Sequence, residues 1–301
     1  MYKIYKTVIH HIYNIINIII IIMLFYILGD MGSGEESQIK VAEALRKNIG
    51  NKQTFICGLG DNIYDNGVIS VDDEQFIEKF EIPYQGISDS ITFYMCLGNH
   101  DYGYSNLSLN PIKNAECQID YTNKSKKWNL PSNYYNYKKG DIEFFVLDTN
   151  LDMMSLKQIK TQLNTMIKKL QESKSKWKIV YGHHTWRSIA GHGNADDELE
   201  DFLRKLYDAN PFDLYMCGHD HNKQIIDLKI NDDNFVTLIV CGTGGKVYHN
   251  YINYNELDEN CDLQFISNNL GFGKINALKN TLTISFYDEN NNLEYIHKIK
   301  K

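Results

Sequence analysis

The chain has 301 residues, of which 43% are hydrophobic and 23% are charged, and its formal net charge is −7. A chain of this length and composition can bury a sizeable core, which excludes an intrinsically disordered protein. The excess of acidic residues argues against an electropositive surface for nucleic acid, so we expect no nucleic-acid partner.

An apolar run, Ile15–Leu28, dominates the amino terminus. It is short for a transmembrane helix but has the length of a signal-peptide core, although no small-residue cleavage site follows it. The alternative is that Met23–Leu28 is simply the first core strand. We predict both: a leader-like apolar segment at residues 1–22, which contacts a membrane only transiently, and a folded domain at residues 23–301. Because no second apolar run of that length follows, we expect no carboxy-terminal membrane anchor.

Short apolar runs that are typical of buried strands recur along the domain. They are Met23–Leu28, Thr54–Leu59, Ile91–Leu97, Ile142–Leu147, Lys178–Tyr181, Leu214–Cys217 and Phe235–Cys241. The tail, Gly271–Lys301, has the pattern of paired strands with the sequence DENNN as a turn.

Three amphipathic patterns between these strands predict helices. In the first, Ser33 is the expected N-cap and Glu36 its capping-box partner. The apolar positions of the three helices are Ile39, Ala42, Leu45 and Ile49, then Leu156, Ile159, Leu163, Ile167 and Leu170, then Leu199, Phe202, Leu203 and Leu206. Because strands and helices alternate without a linker rich in Pro, Gly or Ser, we predict one layered α/β domain.

The cysteines and the sequons bear on the compartment. Cys117 and Cys261 lie in polar surroundings and could pair, whereas the other four cysteines lie in apolar runs, where they behave as small hydrophobic residues. No C-x-x-C occurs, so a zinc ribbon or a thioredoxin-like site has no support. Sequons at Asn106 and Asn123 are compatible with secretion. Together with the leader they favour the secretory pathway, with the protein secreted or held in a vacuolar or lysosome-like compartment.

Potential metal ligands follow the predicted strands, each shortly after a glycine. The segments are GDMG with Asp30, GDNIY with Asp61 and Tyr64, GNHDY with Asn99 and His100, YGHHTW with His183 and His184, and GHDH with His219 and His221. In open α/β sheets the carboxyl ends of the strands form the crevice where ligands bind, and glycine allows a close approach. One such segment alone is more typical of a surface turn. Five in this order, mixing Asp, Asn, Tyr and His, predict a shared metal site.

The five segments resemble the motif set of the purple acid phosphatases, within the calcineurin-like metallophosphoesterase superfamily, and are most similar to the tartrate-resistant acid phosphatase type. The similarity extends to KKWNLPSNYY, VLDTN, SIAGHG and CGTGG, and it covers the chain from Met23 onwards. It implies the α/β fold of that family, a layered metallophosphoesterase sandwich of two mixed β-sheets flanked by helices.

The resemblance implies a dinuclear metal centre with seven protein ligands. Asp30, Tyr64 and His221 would bind Fe(III), Asn99, His183 and His219 would bind a second, divalent metal (Fe, Zn or Mn), and Asp61 would bridge the two. Hard oxygen ligands and a phenolate suit Fe(III), whereas imidazole and amide oxygen suit the divalent ions. Related phosphoesterases carry D-x-H in the first segment. Here Gly32 replaces that histidine and Tyr64 supplies the missing ligand, which favours the purple subgroup over phosphodiesterases and protein phosphatases.

The implied function is that of an acid phosphatase, a monomeric hydrolase of small phosphate monoesters or phosphoproteins. His100 and His192 would hold the phosphate and protonate the leaving alcohol, a role suited to imidazole at mildly acidic pH. Asp101 and Asp220 are candidates to orient the ligand histidines. At His184 the chain departs from the aromatic residue usual in the family, which we interpret as a variation that alters substrate preference.

A second hypothesis, from another class, is a catalytically weak scaffold or membrane-anchor relative of the family. Relatives of that kind have lost metal ligands and carry a carboxy-terminal membrane helix. This chain keeps all seven ligand positions, so the enzyme is the favoured prediction.

The resemblance also bears on regulation. Many mammalian-type relatives carry a long, cleavable loop after the strand that ends in Asp-Thr. Here only a short loop follows Asp148 and Thr149 before the next predicted helix, so we expect no activation by limited proteolysis.

Overall fold

A computed structural model of the protein describes residues 23–103, 110–232, 234–247 and 252–301. The predicted leader at residues 1–22 and the sequon at Asn106 lie outside the described residues. Among the residues that are described, no helix is both long enough and apolar enough to span a bilayer.

The described residues form two seven-stranded sheets. In spatial order the first contains β14 (Leu293–Lys300), β13 (Thr281–Asp288), β12 (Gly271–Leu278), β1 (Met23–Leu28), β2 (Ile56–Gly58), β3 (Phe93–Met95) and β4 (Trp128–Asn129). The second contains β11 (Cys261–Ser267), β9 (Lys223–Lys229), β10 (Phe235–Cys241), β8 (Leu214–Cys217), β7 (Trp177–Tyr181), β6 (Ile142–Val146) and β5 (Tyr135–Lys139). In each sheet a run of parallel strands is extended by antiparallel ones, so both sheets are mixed, as predicted.

Helices cover the outer faces of the two sheets. They are α1 (Glu36–Ile49), α2 (Asn99–Tyr102), α3 (Pro111–Tyr121), α4 (Leu156–Glu172) and α5 (Asp197–Ala209), with a π-helical turn at Ile77–Glu81 and 3-10 turns at Leu151–Met153 and Tyr254–Glu256. Helices α1 and α3 pack on the first sheet, and α4 and α5 pack on the second. The layered α/β sandwich that the sequence implies is therefore confirmed.

The two sheets enclose a core of buried apolar side chains. Phe25 and Ile27 of β1 point into it, and the ring of Phe25 lies edge-on to that of Phe144 on β6, with the ring centroids 5.2 Å apart. The alternate residues, Tyr26 and Leu28, belong to the core beneath α1. Because successive side chains of a strand point to opposite faces, a strand between two apolar layers is apolar throughout. This explains the uninterrupted sequence MLFYIL.

Some local predictions differ from the structure. The N-cap of α1 is Glu35 rather than Ser33, and the Ser33 hydroxyl accepts a hydrogen bond from the Glu35 amide, which precedes the first helical residue, Glu36. Ile39 and Leu156, which were assigned to apolar helix faces, are 46% and 80% exposed. Neither belongs to the buried face of its helix.

All six cysteines are free. Cys117 lies on α3, in the core beneath the first sheet, whereas Cys261 begins β11 at the edge of the second sheet. The pairing considered for these two residues does not occur, since they lie on different layers of the sandwich.

Candidate metal centre

The carboxyl ends of the parallel strands meet at one edge of the sandwich. There the loops after β1 and β2 contact the loops after β7 and β8. His183 Nδ1 lies 2.9 Å from the carbonyl oxygen of Leu59, and the amide of His219 donates to Asp30 Oδ2 at 2.9 Å. These bonds bring ligand segments from both sheets together, as expected at the strand ends of an α/β sheet.

Three predicted ligand residues have left-handed backbone conformations. The φ angle is 55° at Asp30, 50° at Asp61 and 69° at His219. Residues other than glycine rarely adopt this region, at a cost of about 1–3 kcal/mol each, and such strain persists where the surrounding structure over-determines it. Strained residues of this kind cluster at functional sites, so the turns themselves mark the crevice as a candidate site.

Two glycines leave space that the ligand residues require. A Cβ at Gly218 would overlap the Asp30 carboxylate and lie 3.0 Å from the carbonyl oxygen of Leu59. A Cβ at Gly32 would overlap the main chain of Asn62 and lie 2.8 Å from the Cα of Ile63. The position where related phosphoesterases carry a histidine therefore has no room for a side chain here.

The first predicted ligand group is assembled in the structure. The Tyr64 hydroxyl lies 2.9 Å from Asp30 Oδ1 and 3.0 Å from His221 Nε2, and those two atoms are 3.2 Å apart. All three side chains are buried. Ligand atoms of Asp30, Asp61 and His221 also lie within 4.8 Å of one another, a spacing that fits a single metal ion.

The second predicted group surrounds His183. Its Nε2 lies 3.0 Å from Asn99 Oδ1, 3.2 Å from His219 Nδ1 and 3.4 Å from Asp61 Oδ2. Since His183 Nδ1 is held by the carbonyl oxygen of Leu59, Nε2 is the nitrogen that faces the group, which is the arrangement typical of a metal-binding histidine. Asp61 contacts both groups and so lies where a bridging ligand is predicted.

The two histidines predicted to act on the phosphate border the crevice. The ring of His100 lies 4.4 Å from that of Tyr64, and His100 Nε2 is 3.9 Å from Asp61 Oδ2. The ring of His192, which is exposed, lies 4.0 Å from that of His219. His100 thus lies beside the first ligand group, and His192 lies beside the second.

Comparisons with known proteins identify the family. The sequence profile of the calcineurin-like phosphoesterases matches residues 23–223. Purple acid phosphatase 4 of Arabidopsis thaliana is 32% identical over an alignment of 284 positions that covers 89% of this chain and 80% of that protein. The chain belongs to the purple acid phosphatase family. The family predicted from the motifs is confirmed.

One further relative and two solved structures resemble this chain. Tartrate-resistant acid phosphatase type 5 of Rattus norvegicus is 33% identical over 63% of this chain and 60% of that protein. The purple acid phosphatase from yellow lupin (Lupinus luteus) seeds has a TM-score of 0.72 at 17% identity, covering 93% of this chain and 54% of that chain. GAP50, the anchor in the inner membrane complex of Plasmodium, has a TM-score of 0.76 at 21% identity, covering 93% and 89%. These two structures share the fold.

The electrostatics of the phosphatase site favour bound cations. Burial raises the pKa of Asp61, but His183 and His100 outweigh it and hold that pKa below its usual value. Burial lowers the pKa of His183, but Asp61 and then Asp30 outweigh it and raise that pKa to about 9. Burial and the same two carboxylates raise the pKa of Tyr64 well above 10.0. Without metal ions, protons held by His183 and Tyr64 thus offset the negative charge of the carboxylates. Metal ions would replace these protons, because ligation requires deprotonated ligands.

Asp101 organises the main chain of the site. Its carboxylate accepts hydrogen bonds from the amides of Asn62 at 2.9 Å, Ile63 at 3.1 Å and Gly98 at 2.8 Å. It therefore joins the loop after β2 to the loop after β3. We predicted that Asp101 orients a ligand histidine, whereas in the structure it orients two loops that carry ligands.

Asp220 organises the loop that carries His192. Its Oδ1 accepts the amide of His192 at 2.9 Å, and its Oδ2 accepts the hydroxyl of Ser188. Gln224 donates to the same hydroxyl oxygen at 2.7 Å. Asp220 thus positions His192, an outer histidine, rather than the neighbouring ligands.

Two residues of the site, Lys246 and Thr149, were not among the site residues predicted from the motifs. Lys246 Nζ lies 4.4 Å from the centroid of the Tyr64 ring and 3.2 Å from Asp65 Oδ1. Thr149 Oγ1 lies 2.8 Å from His184 Nδ1. A signal for both was present, because Thr149 lies in VLDTN after β6 and Lys246 follows CGTGG after β10. Both are therefore residues that follow strand ends.

Proposed function

We propose that the protein is an acid phosphatase that hydrolyses phosphate monoesters at a dinuclear centre of Fe(III) and a divalent metal, which is Fe, Zn or Mn. The observation that carries the proposal is the arrangement of the predicted ligands in two adjoining groups with Asp61 between them. The donor set fits such a centre, because the first group offers carboxylate and phenol oxygens and the second offers imidazole nitrogens and an amide.

In this proposal seven side chains would hold the two ions: Asp30, Tyr64 and His221 for Fe(III), Asn99, His183 and His219 for the divalent ion, and Asp61 for both. Such a pair of ions generates a nucleophile from water and stabilises the charge of an in-line phosphoryl displacement. The chain keeps the donors oriented by the main-chain bonds that hold His183 and the turn at Asp30.

His192 is assigned to proton transfer. Its ring is exposed in the crevice, and its amide is held by Asp220. An imidazole can give a proton to the leaving alcohol at mildly acidic pH.

His100 is assigned to phosphate binding. Its Nδ1 lies 2.6 Å from the carbonyl oxygen of Asp65, which turns Nε2 towards Asp61 and the crevice. Because the carbonyl oxygen accepts the Nδ1–H, Nε2 donates a hydrogen bond to an oxygen of the bound ester when the ring is protonated.

The test combines metal analysis, absorption spectroscopy and a phosphatase assay on the chain expressed in iron-rich medium. We expect about two metal ions per chain, at least one of them iron, and hydrolysis of nitrophenyl phosphate at acidic pH. The oxidised protein should be pink to violet from phenolate-to-iron charge transfer, and Tyr64→Phe should abolish that colour even if iron is retained. Less than about one metal ion per chain, without monoester hydrolysis, would overturn the proposal.

The scaffold hypothesis makes the opposite prediction, a site that binds metal poorly and hydrolyses nothing. GAP50, the anchor protein, shares the fold at 21% identity, and a likeness at that level supports the architecture only. The assembled ligand groups favour the enzyme, and the same metal analysis and assay separate the two.

We also propose that the protein enters the secretory pathway, with a secreted or vacuolar destination, and acts there as a monomer on small phosphate monoesters or phosphoproteins. The leader-like sequence supports this, as does the sequon at Asn123, which lies exposed on the turn after α3. Sequencing the amino terminus of the mature protein and treating it with a glycosidase test the pathway, and size-exclusion chromatography tests the monomer.

A further inference from the structure

A cleft of about 330 Å³ opens beside the second ligand group. Asn99, His192 and His219 line it, together with His184 and Thr149. The first three already have assigned roles, whereas His184 has none. Its ring is half-buried and lies 4.6 Å from that of His219.

The hydrogen bonds of Thr149 determine which nitrogen of His184 carries the proton. Thr149 Oγ1 accepts the amide of His183 at 3.2 Å and the amide of His184 at 3.1 Å, which occupies both of its lone pairs. Its hydroxyl proton is therefore donated to His184 Nδ1, 2.8 Å away. Because a neutral imidazole has one acceptor and one donor nitrogen, Nε2 carries the N–H.

Because Thr149 engages Nδ1, Nε2 is the ring nitrogen that remains for a ligand. Within the described part of the chain, Nε2 is not among the buried polar atoms that lack a partner, and the residue lines the cleft. His184 thus offers the cleft an N–H.

We propose that His184 is a further substrate-binding residue, whose Nε2–H donates to a non-bridging oxygen of the phosphate ester in the cleft. This inference rests on the proposed function. A fixed donor stabilises charge on the phosphoryl oxygens, as the donors of an oxyanion hole do. It therefore acts on the phosphoryl group, whereas His192 acts on the leaving group.

The test uses two variants of the metal-loaded chain, His184→Phe and His184→Gln. Phenylalanine keeps a flat ring without a donor, whereas glutamine places an amide N–H near the position of Nε2. His184→Phe should lower kcat roughly 10²-fold, equally for nitrophenyl phosphate and glycerol phosphate, because the lost bond is to the phosphoryl group. It should also weaken inhibition by inorganic phosphate, while metal content stays unchanged. His184→Gln should recover a large part of both losses.

Thr149 supplies a readout that does not depend on turnover. In ¹⁵N spectra of the zinc-loaded protein, His184 should show a protonated Nε2 and an unprotonated Nδ1. Thr149→Ser should keep that signature, and Thr149→Val should lose it.

The outcomes separate this inference from the proposed function. Suppose that the wild type is active and that fully metallated His184→Phe has the same kcat and the same inhibition by phosphate. This result would overturn the inference and leave the proposed phosphatase function unchanged. A loss confined to glycerol phosphate would also overturn it, since His184 would then act on the leaving group. An inactive wild type would overturn the phosphatase, and the substrate role of His184 with it.

Discussion

Gly32→Ala adds one methyl group at a point where two ligand loops touch. The new Cβ would overlap the main-chain carbonyl of Asn62 and lie 2.8 Å from the Cα of Ile63. Carbon atoms normally stay about 3.5–4.0 Å apart, so the loops after β1 and β2 would have to separate by more than about 1 Å, because the Asn62 carbonyl lies closer still. Both obstacles are backbone atoms, and no side-chain rotation relieves them.

The expected cost follows from that geometry. Overpacking destabilises by about 1–3 kcal/mol, and a backbone obstacle places this variant at the upper end. For a domain of this size about 3 kcal/mol lowers Tm by about 6–12 °C. Two hydrogen bonds cross the same gap, from the Tyr64 amide to the Gly32 carbonyl at 3.0 Å and from the Gly32 amide to the Asp61 carbonyl at 3.4 Å. Separating the loops moves Tyr64 and Asp61, so iron affinity should fall as well.

Calorimetry of the metal-free protein and an iron titration measure the two effects. Gly191→Ala is the matched control, because a Cβ there meets nothing within 4 Å. We expect the control to keep the Tm of the wild type to within about 2 °C, as surface substitutions usually do, and to bind iron normally. If Gly32→Ala melts with the control and still binds iron tightly, the backbone does not exclude a side chain at position 32.

Four further predictions concern the chemistry. His192→Ala should lower kcat for alkyl phosphates roughly 10²-fold and for nitrophenyl phosphate clearly less, because only the alkoxide needs a proton to leave; equal losses in steady-state kinetics would reassign it to phosphate binding. His219→Ala should depress both substrates together and release metal, and full metal content by elemental analysis would remove it from the ligand set. Lys246→Met should move the visible absorption band to longer wavelength. The Lys246 ammonium lies 4.4 Å from the Tyr64 ring and stabilises the phenolate electrons that are promoted to iron, so its removal lowers the energy of that transition. An unchanged spectrum would count against that contact. Mild trypsin treatment should leave turnover unchanged, since only residues 147–155 connect β6 to α4, and a several-fold rise would contradict this.

The ligand segments could be predicted because their determinants are local. Asp30 and Asp61 each follow a short apolar strand and a glycine, and the parallel strands β1 and β2 of one sheet end at the same edge. Strand order and direction therefore suffice to place these residues in one crevice before any distance is known.

Other elements could not be predicted because their stability comes from distant partners. Strand β9 begins with Lys223, a residue typical of a solvent-exposed turn. Its side chain is nevertheless fully buried: the ammonium donates to the carbonyls of Leu270 and Tyr287, each at 3.2 Å, and pairs with Glu294. A buried charge is tolerated only when it is paired and hydrogen-bonded, and these partners come from a different part of the chain.

The sequence by itself determined most of the buried strands, the three amphipathic helices, the family and the identity of the candidate ligands, since hydrophobic period and residue chemistry are written along the chain. The tertiary structure decided what those side chains touch. The contacts of Gly32 with Asn62, of Thr149 with His184 and of Lys246 with Tyr64 are visible only in the folded structure. Interactions that act over about 3–4 Å depend on how two sheets pack, and that packing is set by the whole core rather than by any one segment.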